Sequence, residues 1–256
     1  MKHRLGSFFS KRLGRKSAAL PRLSLVRPPA VTYAIGDIHG CLNELVALER
    51  KIIVDGGSIQ GEKLIVMLGD YVDRGPSSSS VIEHLLQPLP SGFSRICLMG
   101  NHDQMFVDFC RSPSTSSPWL GLGGDETLAS YGVYLEDLSR HPLPSQLRAL
   151  VPQDHLDFLT SLPVMLSFDQ YCFVHAGIDP GLRLDMQADD VLLKSRPHQF
   201  NWANFGESFT VIHGHTPVDE VDLRGRRINL DLKVYETGRL AALRIAEENC
   251  QLIHTS

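Results

Sequence analysis

Acidic, imidazole and amide side chains recur in short glycine-flanked clusters along this chain: Gly36-Asp37-Ile38-His39-Gly40, Gly69-Asp70, Gly100-Asn101-His102, His175-Ala176-Gly177 and Gly214-His215. Mixed oxygen and nitrogen donors suit manganese, iron or zinc better than calcium. A single Asp-x-His also reads as a helix cap beside a packed histidine. The ordered set, each member following a strand-like run, points instead to one shared metal centre. The chemistry that needs such a centre is phosphate-ester hydrolysis, among the slowest reactions in water. Its obstacles are a repelling anion, a weak nucleophile and a poor leaving group. Two cations about 3.5–4 Å apart answer the first two, by neutralising phosphate oxygens and acidifying a water between them. A carboxylate has two oxygens and can serve both ions, and Asp70 is the candidate for that bridge. The five cysteines (Cys41, Cys97, Cys110, Cys172, Cys250) include no C-x-x-C pair, which excludes an all-thiolate structural zinc site.

The clusters need elements that bring them together. Residues 31–35 (VTYAI), 64–68 (LIVML) and 95–99 (RICLM) read as buried strands, and each runs directly into a polar cluster. Leu42, Leu45, Val46 and Leu48 form an apolar stripe at helical spacing after the first cluster. Pro76 and the serines 77–80 open a second helix, and Phe106 and Phe109 lie on a third. The resulting β-α-β-α-β order implies a parallel sheet, with sites outside the carboxyl ends of its strands. Residues 111–163 break this rhythm and read as an insertion or cap, Ser-, Pro- and Gly-rich and then helical over 144–162. Trp119 and Gly121-Leu122-Gly123-Gly124 are candidates to line a substrate groove, or equally to pack as an ordinary loop. Strands resume at 164–168 and 171–174 around an Asp169-Gln170 turn. Residues 209–212 lead to His213-Gly214-His215, and 227–231 and 239–245 read as closing strands.

The 256 residues suffice for one large domain, with 43% hydrophobic and 21% charged residues. No Asp or Glu precedes Asp37, whereas eight Lys and Arg residues do. The remaining 17 basic residues face 29 acidic ones, a balance of −12. An acidic body that binds phosphate must attract it locally, as bound cations do. Residues 1–30 are expected to form a flexible basic tail, with an organellar leader or a weak contact with nucleic acid or an acidic membrane as alternatives. Residues 31–256 form the domain. The odd, scattered cysteines imply reduced thiols and a cytoplasmic protein. No apolar run is long enough to span a bilayer.

Gly36-Asp37-Ile38-His39-Gly40, Gly69-Asp70-Tyr71-Val72-Asp73-Arg74-Gly75 and Gly100-Asn101-His102-Asp103 resemble the signature motifs of the phosphoprotein phosphatases within the calcineurin-like metallophosphoesterases. His175-Ala176-Gly177 and Gly214-His215-Thr216-Pro217 resemble the later histidine motifs. The resemblance runs from about Tyr33 to Leu243. It implies an α/β sandwich of mixed sheets flanked by helices. It further implies one metal on Asp37, His39 and Asp70, and a second on Asp70, Asn101, His175 and His215. His102 is then the acid that protonates the leaving alkoxide, oriented by Asp73. Arg74 binds phosphate oxygens, and Arg196 is the best match to a second phosphate arginine, although the residues before it depart from the bacterial pattern. His215 rather than His213 aligns as the ligand, leaving His213 to support or pack. Tyr235 lies in a late loop that borders the site in relatives. His3, His84, His141, His155, His198 and His254 have no motif support and read as surface residues. Small bacterial members share a stretch resembling Gly124-Asp125-Glu126-Thr127-Leu128. A manganese-dependent phosphoserine/phosphothreonine phosphatase is therefore the leading expectation. Dinucleoside polyphosphate hydrolysis is the alternative, and a non-catalytic metal-binding scaffold is a reading of another class.

Overall fold

In a computed structural model, residues 19–138, 141–202, 205, 209–247 and 249–255 are described. The strands are β1 (Arg22–Ser24), β2 (Val31–Ile35), β3 (Lys63–Met67), β4 (Phe93–Cys97), β5 (Met165–Phe168), β6 (Tyr171–Val174), β7 (Thr210–His213), β8 (Arg227–Asn229), β9 (Ala241–Ala246) and β10 (Asn249–His254). The helices are α1 (Leu42–Gly56), α2 (Ser78–Leu86), α3 (Asn101–Arg111), α4 (Gly124–Ser130), α5 (Leu143–Leu150), α6 (Gln153–Ser161), α7 (Asp189–Lys194) and α8 (Val234–Thr237).

Every residue of β2 is buried, as befits a strand covered on both faces. Strand alternation explains how one short run serves two layers. Tyr33 and Ile35 pack with Leu45, Leu48 and Ile52 of α1 and Val81 of α2. Ala34, between them in sequence, packs with Leu64 and Val66 and with Leu166, Phe173 and Ile212 of the second sheet. The result is a sandwich of two mixed five-stranded sheets, ordered β10-β9-β2-β3-β4 and β1-β5-β6-β7-β8. β2, β3 and β4 are mutually parallel, as the crossover helices require, while β9 pairs antiparallel with β2 and β10 antiparallel with β9. In the other sheet β6, β7 and β8 are parallel, and the β5–β6 hairpin turns at Asp169-Gln170 with Asp169 left-handed at φ 51°. β10 was not anticipated: its residues are only partly covered, so its apolar signal is weak.

Two sequence expectations change. Residues 19–30 are not a free tail. β1 pairs in parallel with β5, Arg22 donates to Asp189 Oδ1 and to the Gln187 carbonyl at 2.7 Å each, and the Leu20 N–H donates to Asp189 Oδ2 at 2.9 Å. Composition missed this because three residues suffice for an edge strand. Residues 1–18 lie outside the described residues. His155 is not a surface residue either. It is buried, with Nδ1 2.8 Å from the Tyr131 hydroxyl and Nε2 3.2 Å from Glu83, and so ties α6 to α2. No described helix is long and apolar enough to cross a membrane.

Candidate metal centre

Parallel strands bring the loops at their carboxyl ends to one edge of the sheet. The loops after β2, β3 and β4 meet there with those after β6 and β7. Backbone contacts are close. A Cβ on Gly100 would lie 2.1 Å from Asp70 Oδ1, and one on Gly214 would lie 1.9 Å from Asp37 Oδ1. Both positions exclude any side chain. The loops are also strained: His39, Asp70, Asp73, Arg74 and His215 adopt positive φ of 43°, 53°, 74°, 69° and 65°, at a cost of about 1–3 kcal/mol each. Asp103 offsets part of that cost. Its Oδ2 accepts from the N–H groups of Asp70 and Gly100, and its Oδ1 from that of Tyr71, all at 2.9 Å.

Asp70 sits at the middle of the site. Donor atoms of His39, Asp70 and His102 lie within 4.8 Å of one another, and so do those of Asp70, His175 and His215. Asp70 Oδ2 is 3.6 Å from His39 Nε2 and 3.3 Å from His175 Nε2. Asn101 Oδ1 is 3.0 Å from the same His175 nitrogen. The two histidine tautomers are set from behind. His39 Nδ1 meets the Val72 carbonyl at 2.8 Å and His175 Nδ1 meets that of Leu68 at 2.9 Å, which leaves each Nε2 facing the centre. Backbone carbonyls orient metal-ligating imidazoles in this way. Asp37 joins from the side. Both its oxygens accept from the His215 N–H, at 3.2 and 3.1 Å.

The electrostatics fit cations. Burial pushes His39 and His215 down to about 3, so both rings are neutral and their lone pairs available. Burial, the nearby Asp231 and Asp70 together raise Asp37 well above the usual carboxylate range, the mark of crowded buried acids that lack a positive partner. Burial also disfavours charge on Asp70, but His175, His102 and His39 outweigh it and hold the carboxyl low. His175 in turn rises to about 10 against its own burial. A proton there serves where a cation would. The donor set thus suits two divalent ions that share Asp70.

His102 and Asp73 form a separate pair at the edge of the centre. His102 Nδ1 is 2.6 Å from Asp73 Oδ2, and the His102 N–H donates to Asp70 Oδ1 at 2.9 Å. Asp70 and Asp73 raise the His102 pKa despite burial. Arg74 lies 3.5 Å from His102 Nε2, donates to the Tyr235 hydroxyl, and has its guanidinium 4.6 Å from the Tyr235 ring centre. That ring also meets His39 edge-on at 5.3 Å. Arg196 is exposed and near enough for its charge to help lower His215 after burial and His175 have acted. His213 is buried, with Nδ1 2.8 Å from the Gly214 carbonyl and Nε2 without a hydrogen bond.

The family model for calcineurin-like phosphoesterases matches residues 31–246. The chain belongs to that family. It is similar to bis(5'-nucleosyl)-tetraphosphatase PrpE [asymmetrical] of Bacillus subtilis (strain 168), 29% identical over 232 residues that cover 83% of this chain and 90% of the relative. The PrpE of Bacillus velezensis is 28% identical over 87% of this chain and 92% of its own. Among solved structures, the cold-active protein-tyrosine phosphatase of Shewanella sp. superposes with a TM-score of 0.58 at 19% identity, over 93% of this chain and 83% of that one. A protein serine/threonine phosphatase from Saccharomyces cerevisiae superposes at 0.55 and 16% identity, over 92% and 84%. At those identities the structures bear on the fold alone. The family is one of metal-dependent phosphoesterases, as the motifs implied.

Some site residues escaped sequence reasoning. Asp103 supports the β3 and β4 loops. Asp231 follows β8 as the other acids follow their strands, a signal that could have found it. Trp119, which reads equally as groove lining or as loop packing, is packed: it is 3% exposed and its indole N–H donates to Asp73.

Proposed function

We propose that this protein hydrolyses dinucleoside polyphosphates off-centre, releasing two unequal nucleotides. Asp37, His39, Asp70, Asn101, His175 and His215 hold two divalent cations, manganese by first preference. The support for a binuclear centre is the position of Asp70, common to both donor groups. The support for the substrate is the likeness to the PrpE proteins along nearly their whole length. It reverses the order expected from the motifs, which put phosphoserine and phosphothreonine first.

When bound, the cations supply charge neutralisation at the phosphate and a water that ionises near neutral pH. The chain's own residues do the rest. Asp70 faces both sides of the centre through Oδ2, with its Oδ1 on the His102 N–H, and His39 and His175 hold fixed tautomers towards it. Arg74 presents a guanidinium fork to phosphate oxygens, held from behind by Tyr235. Arg196, exposed and close enough to act on His215, adds positive charge. His102 keeps its Nδ1 proton on Asp73 and gives its Nε2 proton to the departing oxygen. Both Asp70 and Asp73 favour that protonated state beforehand.

The test compares kcat/KM for diadenosine tetraphosphate, phosphoserine peptides and sugar phosphates in the manganese-loaded enzyme. The tetraphosphate is expected to be the best substrate. A higher value for the phosphoserine peptides would return the protein-phosphatase reading to first place. No turnover of any phosphoester would favour the metal-binding scaffold.

A further inference from the structure

Asp73 is wholly buried, yet the segment around it supplies only part of what its carboxylate needs. The remaining partners come from residues 119–127, which are far from Asp73 in sequence. Trp119 Nε1–H donates to Asp73 Oδ2 at 2.7 Å, and that oxygen also receives His102 Nδ1–H at 2.6 Å. Thr127 Oγ1–H donates to the other oxygen at 2.7 Å, and the same hydroxyl accepts the Asp73 N–H at 2.8 Å. The Gly123 carbonyl accepts the Arg74 N–H at 3.1 Å. Asp73 and Arg74 are consecutive residues with left-handed φ of 74° and 69°, a backbone that needs outside support to persist.

The indole is itself fixed. Its ring stacks on Phe106 at 5.6 Å and meets Phe109 at 4.6 Å. Both phenylalanines lie on α3, the helix whose second residue is His102. A Cβ on Gly124 would lie 2.5 Å from the indole, so that glycine gives the ring its room. Trp119 thus reads the position of the His102 helix on one side and grips the His102 partner on the other.

We propose that Trp119 is a positioning residue for proton transfer: it fixes the Asp73 carboxylate so that His102 Nε2 points at the leaving oxygen. Without the indole N–H, Oδ2 keeps the His102 donor alone and only Thr127 resists rotation about Cβ–Cγ, so the carboxylate can turn and carry the imidazole with it. A displacement of about 1 Å at the acid can cost on the order of a hundredfold in rate. The inference rests on the acid role proposed for His102.

The experiment compares phenyl phosphate with 4-nitrophenyl phosphate in the manganese-loaded enzyme. Phenoxide is the worse leaving group and depends more on a well-placed acid. The variants are Trp119→Phe and wild-type sequence carrying the sulfur isostere of tryptophan (benzothienylalanine) at position 119. The isostere keeps the ring shape and lacks only the N–H, so it answers if the phenylalanine variant fails to fold. The expected result is a kcat for phenyl phosphate lower by about ten- to a hundredfold, a much smaller loss for 4-nitrophenyl phosphate, and unchanged KM and manganese content. Equal losses on both substrates, or no loss in the isostere, would overturn the inference. His102→Ala is measured on the same pair. If His102→Ala discriminates between the substrates and the Trp119 variants do not, the Trp119 inference alone falls. If His102→Ala does not discriminate, the acid role itself falls, and the inference with it.

Discussion

Replacing Asp103 with Asn isolates the support beneath the bridging carboxylate. In the wild type its two oxygens accept three backbone N–H groups at 2.9 Å. An asparagine has one carbonyl oxygen. If that oxygen keeps the Asp70 and Gly100 donors, its NH2 faces the Tyr71 N–H, and two buried donors lose their acceptors. Together they cost about 2–6 kcal/mol; removing a charge that burial and Asp70 disfavour offsets part of that, for a net loss of about 3 kcal/mol. For a domain of this size that is about 6–12 °C in Tm. The measurement belongs at pH 8, because burial and Asp70 push the Asp103 carboxyl up to about 7 and it must be ionised for the comparison to hold. Calorimetric melting of the chelated protein gives the stability term. Manganese titration gives the second consequence, an affinity weakened by at least about tenfold, as removal of an outer support of a metal ligand does. A D103N protein that melts within about 2 °C of wild type and binds manganese equally well would refute the reasoning.

Two other perturbations reach different parts of the account. Burial lowers His213 to about 3, while in the unfolded chain it titrates near 6.5. Between those values the unfolded state binds the extra proton, so stability falls as pH drops below about 6.5, by about 2 kcal/mol at pH 5. His213→Asn keeps a donor for the Gly214 carbonyl and should flatten the loss between pH 8 and pH 5 by about that amount in denaturant melts; an unchanged acid slope would count against a neutral buried imidazole. Arg74→Lys keeps the charge but loses both the fork and the stacking on Tyr235, so inhibition by inorganic phosphate should weaken by about ten- to a hundredfold. An unchanged inhibition constant would remove Arg74 from the phosphate site.

The chemistry was legible because it sits where local sequence is most constrained. Asp37 and Asp70 follow strands buried on both faces, and such strands are short continuous apolar runs that stand out in any window; Asn101 follows β4, which is only partly covered and not the buried strand expected. The glycines beside them mark loops that approach too closely for a Cβ, as at Gly100 and Gly214. What the sequence hid depends on distance rather than pattern. Nothing near Trp119 signals that its N–H ends on a carboxylate 46 residues earlier, and its aromatic ring read equally well as groove lining. Asp103 was visible as part of a motif, but its task is to accept the N–H groups of Asp70 and Tyr71 beside that of Gly100 in its own loop, and only the fold brings the other loop near. β1 is three residues long, and no periodicity can be read from so few. His155 lacks a motif because its role is packing between α2 and α6, not chemistry.

The central claim is that one carboxylate, Asp70, serves two cations. Metal analysis of the manganese-equilibrated protein, wild type beside Asp70→Asn, tests it most directly. The account predicts two bound ions per chain in the wild type, and loss of the pair together with hydrolysis of the tetraphosphate in D70N, whose neutral amide lacks the negative charge that two neighbouring cations need. A D70N protein that still binds two ions and turns over at the wild-type rate would contradict it.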